Sequence, residues 1–146
     1  MISTEKRRVI VVDDWADVTF SIAVLLRDAG CEVLEFNSGA NVVAEALVFR
    51  PDVILLDLEL RGEPSGLEVA RRIRERPELQ NVVIAVMTAH IGEENRREAL
   101  AAGCSVFIAK PVESKHLTAI ALHGDRRAAP RHPWPRHLER RALSPT

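Results

Sequence analysis

The sequence predicts an α/β fold: a doubly wound, five-stranded parallel sheet in the order 2-1-3-4-5, with helices on both faces. Three observations carry this. Short, continuously apolar runs at 9–12, 53–56 and 82–87 have the character of strands buried on both faces. Segments with helical spacing separate the runs, as parallel strands require. Polar residues stand where the strands leave the core, and ligands of open parallel sheets bind outside those carboxyl ends. Crossovers of this kind are right-handed. Of the common doubly wound orders, the five-strand one fits 146 residues, and it sets strands 1 and 3 side by side where the order reverses.

Each element follows in turn. Residues 9–12 are four consecutive β-branched residues running into Asp13-Asp14. Val18, Ile22, Leu25, Leu26 and Ala29 then recur on one helical face, and Gly30 stops that helix. Residues 32–36 alternate weakly, as an outer strand does, and Asn37-Ser38-Gly39 turn the chain. Val42, Val43, Ala46 and Leu47 mark a second helix that ends ahead of Pro51. The central strand, in the stretch Val53-Ile54-Leu55-Leu56-Asp57-Leu58, reaches Asp57. It drives a carboxylate out of the core, which is costly unless that group meets a polar site.

A loop over 59–65 leads to a third helix over 67–76. Leu67, Ala70 and Ile73 face inward, Arg71, Arg72 and Arg74 outward, and Pro77 closes it. Glu68 and Arg72 form an i, i+4 pair. Residues 82–87 make a fully apolar strand ending at Thr88. The helix expected over 92–102 is poorly amphipathic. Its run of charged residues leaves little to bury beyond Ala99 and Leu100, so it should be marginally held. Gly103 ends it. A fifth strand over 105–109 runs into Lys110-Pro111. A short last helix over 113–122 turns Leu117, Ile120 and Ala121 inward.

One folded domain, over 1–123, accounts for the patterned part of the chain. Composition is that of an ordinary globular protein, with 47% hydrophobic and 28% charged residues. A net charge of −1 gives no whole-chain case for nucleic acid, but the charge is uneven. Six Arg against Asp125 and Glu139 give the 124–146 tail +4, leaving −5 on the body. The tail also carries Pro130, Pro133, Pro135 and Pro145, lacks apolar periodicity, and reads as extended and mobile. Cys31 and Cys104 are the only cysteines and have no metal-type spacing; they read as small core hydrophobes. With neither a signal peptide nor a long apolar run, the expectation is a cytoplasmic, reduced protein without a membrane partner.

The strand ends converge. Strand 1 delivers Asp13 and Asp14, strand 3 Asp57, strand 4 Thr88 and strand 5 Lys110. Carboxylates gathered at one switch point repel one another. An oxygen-only cluster with room for water suits a hard cation such as Mg²⁺, or Mn²⁺. Such an ion has spare positions for phosphoryl oxygens, and phosphoryl transfer needs positioning and charge neutralisation above all. A carboxylate can itself be the nucleophile. Read singly, these residues have plainer roles. Asp14 could cap the first helix with Asp17 in its first turn, Thr88 could end a strand, and Lys110 could lie on the surface.

Taken together, Val9-Ile-Val-Val-Asp-Asp14, Asp52-Val-Ile-Leu-Leu-Asp57, Met87-Thr-Ala89 and Phe107-Ile-Ala-Lys-Pro111 resemble a response-regulator receiver domain. They stand in family order, and the resemblance covers about 8–122. It implies a flavodoxin-like fold. It implies that Asp57 accepts phosphate from a sensor histidine kinase or phosphotransfer protein. Asp13, Asp14, Asp57 and the Glu59 backbone carbonyl would hold Mg²⁺. Thr88 and Lys110 would bind the phosphoryl oxygens, Phe107 would be the switch aromatic, and Lys110-Pro111 would be a cis peptide. The face formed by the 92–102 helix, the fifth strand and the last helix would then control an output partner or a homodimer. Two features depart from the family: Arg61 stands where a proline is usual, and the loop to Gly66 is one residue longer.

Two alternatives remain at this level. One is a receiver-shaped binding module that works without phosphate, which Arg61 would favour. The other is an aspartate-nucleophile phosphatase similar to the haloacid dehalogenase group, although there the acidic pair follows the lysine. Trp15 is expected near the pocket at the helix start, and His90 in a solvated loop. The tail with His132-Pro-Trp-Pro135 is expected to be a solvated segment rather than a nucleic-acid contact.

Overall fold

Four β-branched residues in a row leave no polar face to turn toward water, and the strand they form is covered on both sides. In the computed structural model, which describes residues 6–90 and 92–124, β1 (Arg8–Val12) has Val9 through Val12 wholly buried. It lies between β2 (Glu32–Phe36) and β3 (Val53–Asp57); β4 (Val83–Thr88) and β5 (Val106–Ala109) complete one parallel sheet. The order is β2-β1-β3-β4-β5, as the sequence predicts. Val9 pairs with Val53 and Val12 with Leu56, so the ends of β1 and β3 come out together.

Side chains alternate across a strand, and the two faces take different helices. Val9, Val11, Leu55, Met87 and Ile108 pack against α1 (Ala16–Asp28) and α5 (Ser114–His123). Ile10, Val12, Ile54, Leu56 and Phe107 pack against α2 (Val42–Phe49), α3 (Gly66–Arg74) and α4 (Glu93–Ala101). Burying a side chain of this size contributes about 1.5–3 kcal/mol, so the doubly covered strands fix the scaffold. α4 is the exception. Of its nine residues only Ala99 is buried, in line with its weak amphipathicity, whereas Leu100, expected to be buried with it, is exposed.

Some boundaries differ from the sequence reading. β3 ends at Asp57, as expected, but β4 and β5 start one residue later than expected, at Val83 and Val106. α3 ends at Arg74, and Pro77 opens a separate 3₁₀ turn, Pro77–Leu79, instead of closing the helix. The fixed φ of proline suits the first position of a turn, and Leu79 uses it to reach the core. Gly30, at a φ of +99°, follows the α1 C-cap Ala29. Cys31 and Cys104 are both buried; desolvation raises both thiols, Cys104 to about 12, which keeps them inert. Among the described residues no helix is long and apolar enough to cross a membrane. The 124–146 tail lies, after Gly124, outside the described residues.

At the amino ends of the strands, Arg7 ties the last helix to the sheet. Its Nε donates to the Ala121 carbonyl at 2.9 Å, its terminal nitrogen to the Gly124 carbonyl, and it pairs with Asp52 at 3.7 Å.

At the opposite, carboxyl edge, α3 begins hard against the end of β3. Its N-cap Ser65 accepts from the Glu68 amide at 3.2 Å. A Cβ on Gly66 would stand 2.6 Å from the Asp57 carbonyl oxygen and 3.1 Å from that of Leu58. Both obstacles are backbone and cannot rotate away. Gly66→Ala should therefore destabilise the domain by about 2 kcal/mol, measured by urea unfolding, whereas a neutral effect would mean that α3 is free to slide.

Candidate functional site

β1, β3, β4 and β5 deliver their polar residues to one edge of the sheet. Asp13 follows β1 directly and its amide donates to the Phe36 carbonyl at 3.0 Å, which keeps the chain in line past the strand end. Asn37 supports the same point: its Nδ2 donates to the Asp13 carbonyl at 2.9 Å and to the Thr19 hydroxyl at 3.1 Å. The Asp13 carboxylate is wholly buried and accepts from the Trp15 amide at 3.0 Å. Trp15 itself is the N-cap of α1 and is exposed. Asp14 does not cap α1. Its carboxylate turns instead to the loop after β3, where the Arg61 amide donates to it at 3.1 Å.

Asp57 closes β3 opposite Met87, and Leu58 continues by donating to the Met87 carbonyl at 2.9 Å. The Lys110 amide donates to the Thr88 carbonyl at 2.9 Å, so β5 is carried one residue further along β4. From there the Lys110 ammonium reaches Asp13 at 3.2 Å and Asp57 at 3.3 Å, bridging the two buried carboxylates. Lys110-Pro111 is a cis peptide, as is Glu63-Pro64, which the sequence reading did not anticipate. The structure thus brings Asp13, Asp57 and Lys110 into direct contact, with Asp14 and Thr88 beside them.

Glu59 was expected to contribute its backbone carbonyl, and the structure adds contacts of its side chain that the sequence did not place. Its carboxylate accepts a hydrogen bond from the Thr88 hydroxyl, while its amide donates to Asp57 Oδ1 at 2.9 Å. Thr88 Oγ1 in turn accepts from the His90 amide at 2.9 Å. An acidic residue two places after a strand-end aspartate was a visible signal, but its direction was not. Phe107 is 7% exposed and points into the α2–α4 side of the core. His90 is exposed, as expected.

Electrostatics separate the two neighbouring carboxyls. Burial pushes Asp57 up to about 6; the Glu59 side chain and the Asp13 charge push the same way, against the Glu59 amide and Lys110. Burial also acts to raise Glu59, but hydrogen bonds from Thr88 and Asp57 outweigh it and hold that group below its ordinary range. The proton of this pair therefore belongs to Asp57. For Lys110, burial works against the charge, yet the Asp13 hydrogen bond and the Asp57 charge outweigh it and raise its pKa.

Among the described residues, no three acidic, histidine or cysteine side chains close into a metal cage. Mg²⁺ does not need one, since it keeps several waters and takes one or two carboxylates. The donor set here is all oxygen, with Asp14 the more open carboxylate at 19% exposure, and it fits such an ion.

A 2-1-3-4-5 sheet whose switch point gathers carboxylates, a hydroxyl and an ammonium defines a receiver-type signalling domain. The family model of the response regulator receiver domain matches residues 9–122, and the chain belongs to that family. Similar proteins agree. The phosphate regulon transcriptional regulatory protein PhoB of Pseudomonas aeruginosa is 35% identical over 113 residues, covering 77% of this chain and 49% of PhoB. The DNA-binding response regulator MtrA of Mycobacterium tuberculosis is 31% identical over 116 residues, covering 80% of this chain and 49% of MtrA. The chain thus spans about half the length of these relatives.

Among solved structures, the Vibrio cholerae chemotaxis protein CheY4 superposes with a TM-score of 0.72 at 26% identity, covering 76% of this chain and 92% of CheY4. The receiver domain of the Pseudomonas aeruginosa sensor histidine kinase PA1611 gives 0.72 at 28% identity, covering 80% of this chain and 95% of that domain. That structure holds a magnesium ion coordinated in its active site cleft.

The raised Asp57 pKa fixes the sign of a stability change. The unfolded carboxyl titrates near about 3.9, so the folded state holds this proton more tightly. The resulting stability is whole below that value and is lost as pH rises through about 6. Asp57→Asn avoids the loss. In EDTA it should exceed wild type by about 2 kcal/mol at pH 7.5, with the gap narrowing toward pH 4. Urea titrations at the two pH values check this; a wild type at least as stable at pH 7.5 overturns it.

Proposed function

We propose that this chain is the phosphoacceptor of a two-component relay, in which a sensor histidine kinase or a phosphotransfer protein donates a phosphoryl group to Asp57. The observation that best supports this is the Asp57 carboxyl at the switch point, 3.3 Å from the Lys110 ammonium and held by the Glu59 amide. An Asp57 oxygen bonds to phosphorus, the P–N bond of the donor phosphohistidine breaks, and its electron pair returns to the imidazole.

Asp13, Asp14, Asp57 and the Glu59 carbonyl would hold Mg²⁺ or Mn²⁺; bound there, the ion offsets charge on the carboxylates and the phosphoryl oxygens. Lys110 binds one phosphoryl oxygen. Thr88 binds another, which requires its hydroxyl to leave the Glu59 carboxylate. As Thr88 moves inward, Phe107 repacks and the α4-β5-α5 face changes its partner. With one buried residue, α4 costs little to shift, which suits a two-state element. The acceptor turns over once per phosphoryl group and is not a multiple-turnover phosphatase. The partner is a protein in the cytoplasm, contacted through that face directly or by a homodimer.

Incubation with Mg²⁺ and acetyl phosphate, read by intact mass, tests the reading. Wild type should gain one phosphoryl group and Asp57→Asn none. Lys110→Ala should label at least about ten-fold more slowly. An unlabelled wild type, or equal labelling of Asp57→Asn, refutes the proposal, and normal partner binding by Asp57→Asn would favour a phosphate-independent module.

A further inference from the structure

Lys110 serves Asp13 and Asp57, but it does not reach Asp14. Among the described residues, the Asp14 carboxylate takes its hydrogen bonds and its counterion from Arg61 alone. The Arg61 amide is shared between the two oxygens, at 3.1 and 3.3 Å, and the guanidinium lies 3.9 Å away. These two contacts are unequal. The guanidinium is 82% exposed, and an ion pair that open is worth little. A backbone N–H bonded to a carboxylate is a charge-assisted bond, and it comes from a loop anchored at one end by Asp57 and at the other by α3.

Both Asp14 oxygens therefore face the loop. A divalent cation bound by Asp14 needs one of those oxygens, and it repels the N–H dipole and the guanidinium that now occupy them. We propose that Arg61 is a positioning residue that competes with the divalent cation for Asp14, weakening cation binding and letting go of the β3–α3 loop when the cation arrives. This rests on the cation reading of the pocket given above. It gives that reading a specific consequence: the Arg61 end of the loop is released from Asp14 by the cation before any phosphoryl group arrives, while Glu59 stays engaged through its carbonyl.

Mg²⁺ titration calorimetry on wild type, Arg61→Ala and Arg61→Pro tests the proposal. Alanine keeps the N–H and removes the exposed guanidinium; proline removes both. Arg61→Pro should bind Mg²⁺ about three- to ten-fold more tightly than wild type, and Arg61→Ala at most about two-fold. Equal or weaker binding by a folded Arg61→Pro overturns the proposal. Should that variant fail to unfold cooperatively, wild type carries the test alone. Its Arg61 amide proton resonance should move upfield as Mg²⁺ saturates, and a resonance that does not move overturns the proposal. If wild type and variants all ignore Mg²⁺, it is the cation reading itself that falls.

Discussion

Two buried carboxylates held by one ammonium are the constraint on which this domain turns. Asp13 and Asp57 leave neighbouring strands at the same level, because β1 and β3 are in register, and neither is open to water. Their repulsion is met by Lys110, which comes from the far side of the sheet. Removing Lys110 would leave two buried carboxylates without their cation, at about 3–5 kcal/mol. The pairing of β5 with β4 is thus more than sheet formation. It sets the stem from which Lys110 reaches across Thr88 to the acidic pair.

The rest of the molecule divides into stiff and soft parts around that contact. Strands covered on both faces hold the backbone under the site, and Asn37 and the Gly66 approach fix its two loops. Glu59 and Arg61 then lay polar ties across the top: one to Thr88 and Asp57, one to Asp14. Such ties cost little to exchange compared with a packed core. α4, resting on Ala99, belongs to the same soft side. A change at the acidic edge can be passed on by trading hydrogen bonds while the sheet keeps its register.

What was legible in the sequence was what depends on burial along a strand. Runs of β-branched and aliphatic residues located the four strands that carry the site, and the polar residue ending each run located Asp13, Asp57, Thr88 and Lys110, while β2 showed only as weak alternation. What was not legible depends on where a side chain turns after the chain has left the sheet. Asp14 looked equally able to cap α1, yet it faces the next loop. Glu59 was expected to act through its carbonyl, yet its carboxylate also holds Thr88. Asn37 sat in a plain turn signal. His116 is buried near the start of α5 with no pattern to announce it. Pro77 marked a break correctly, but a 3₁₀ turn of three residues has no periodicity to reveal it.

The Arg7 tie at the amino ends of the strands fixes a direction of travel. It holds the end of α5 against the start of β1 and Asp52, at the pole of the sheet farthest from Asp57. The described chain thus ends, at Gly124, at the pole opposite Asp57. β5 and α5 span the distance between the two poles, so α5 is the axle between them, and Arg7 is the bearing in which it is seated.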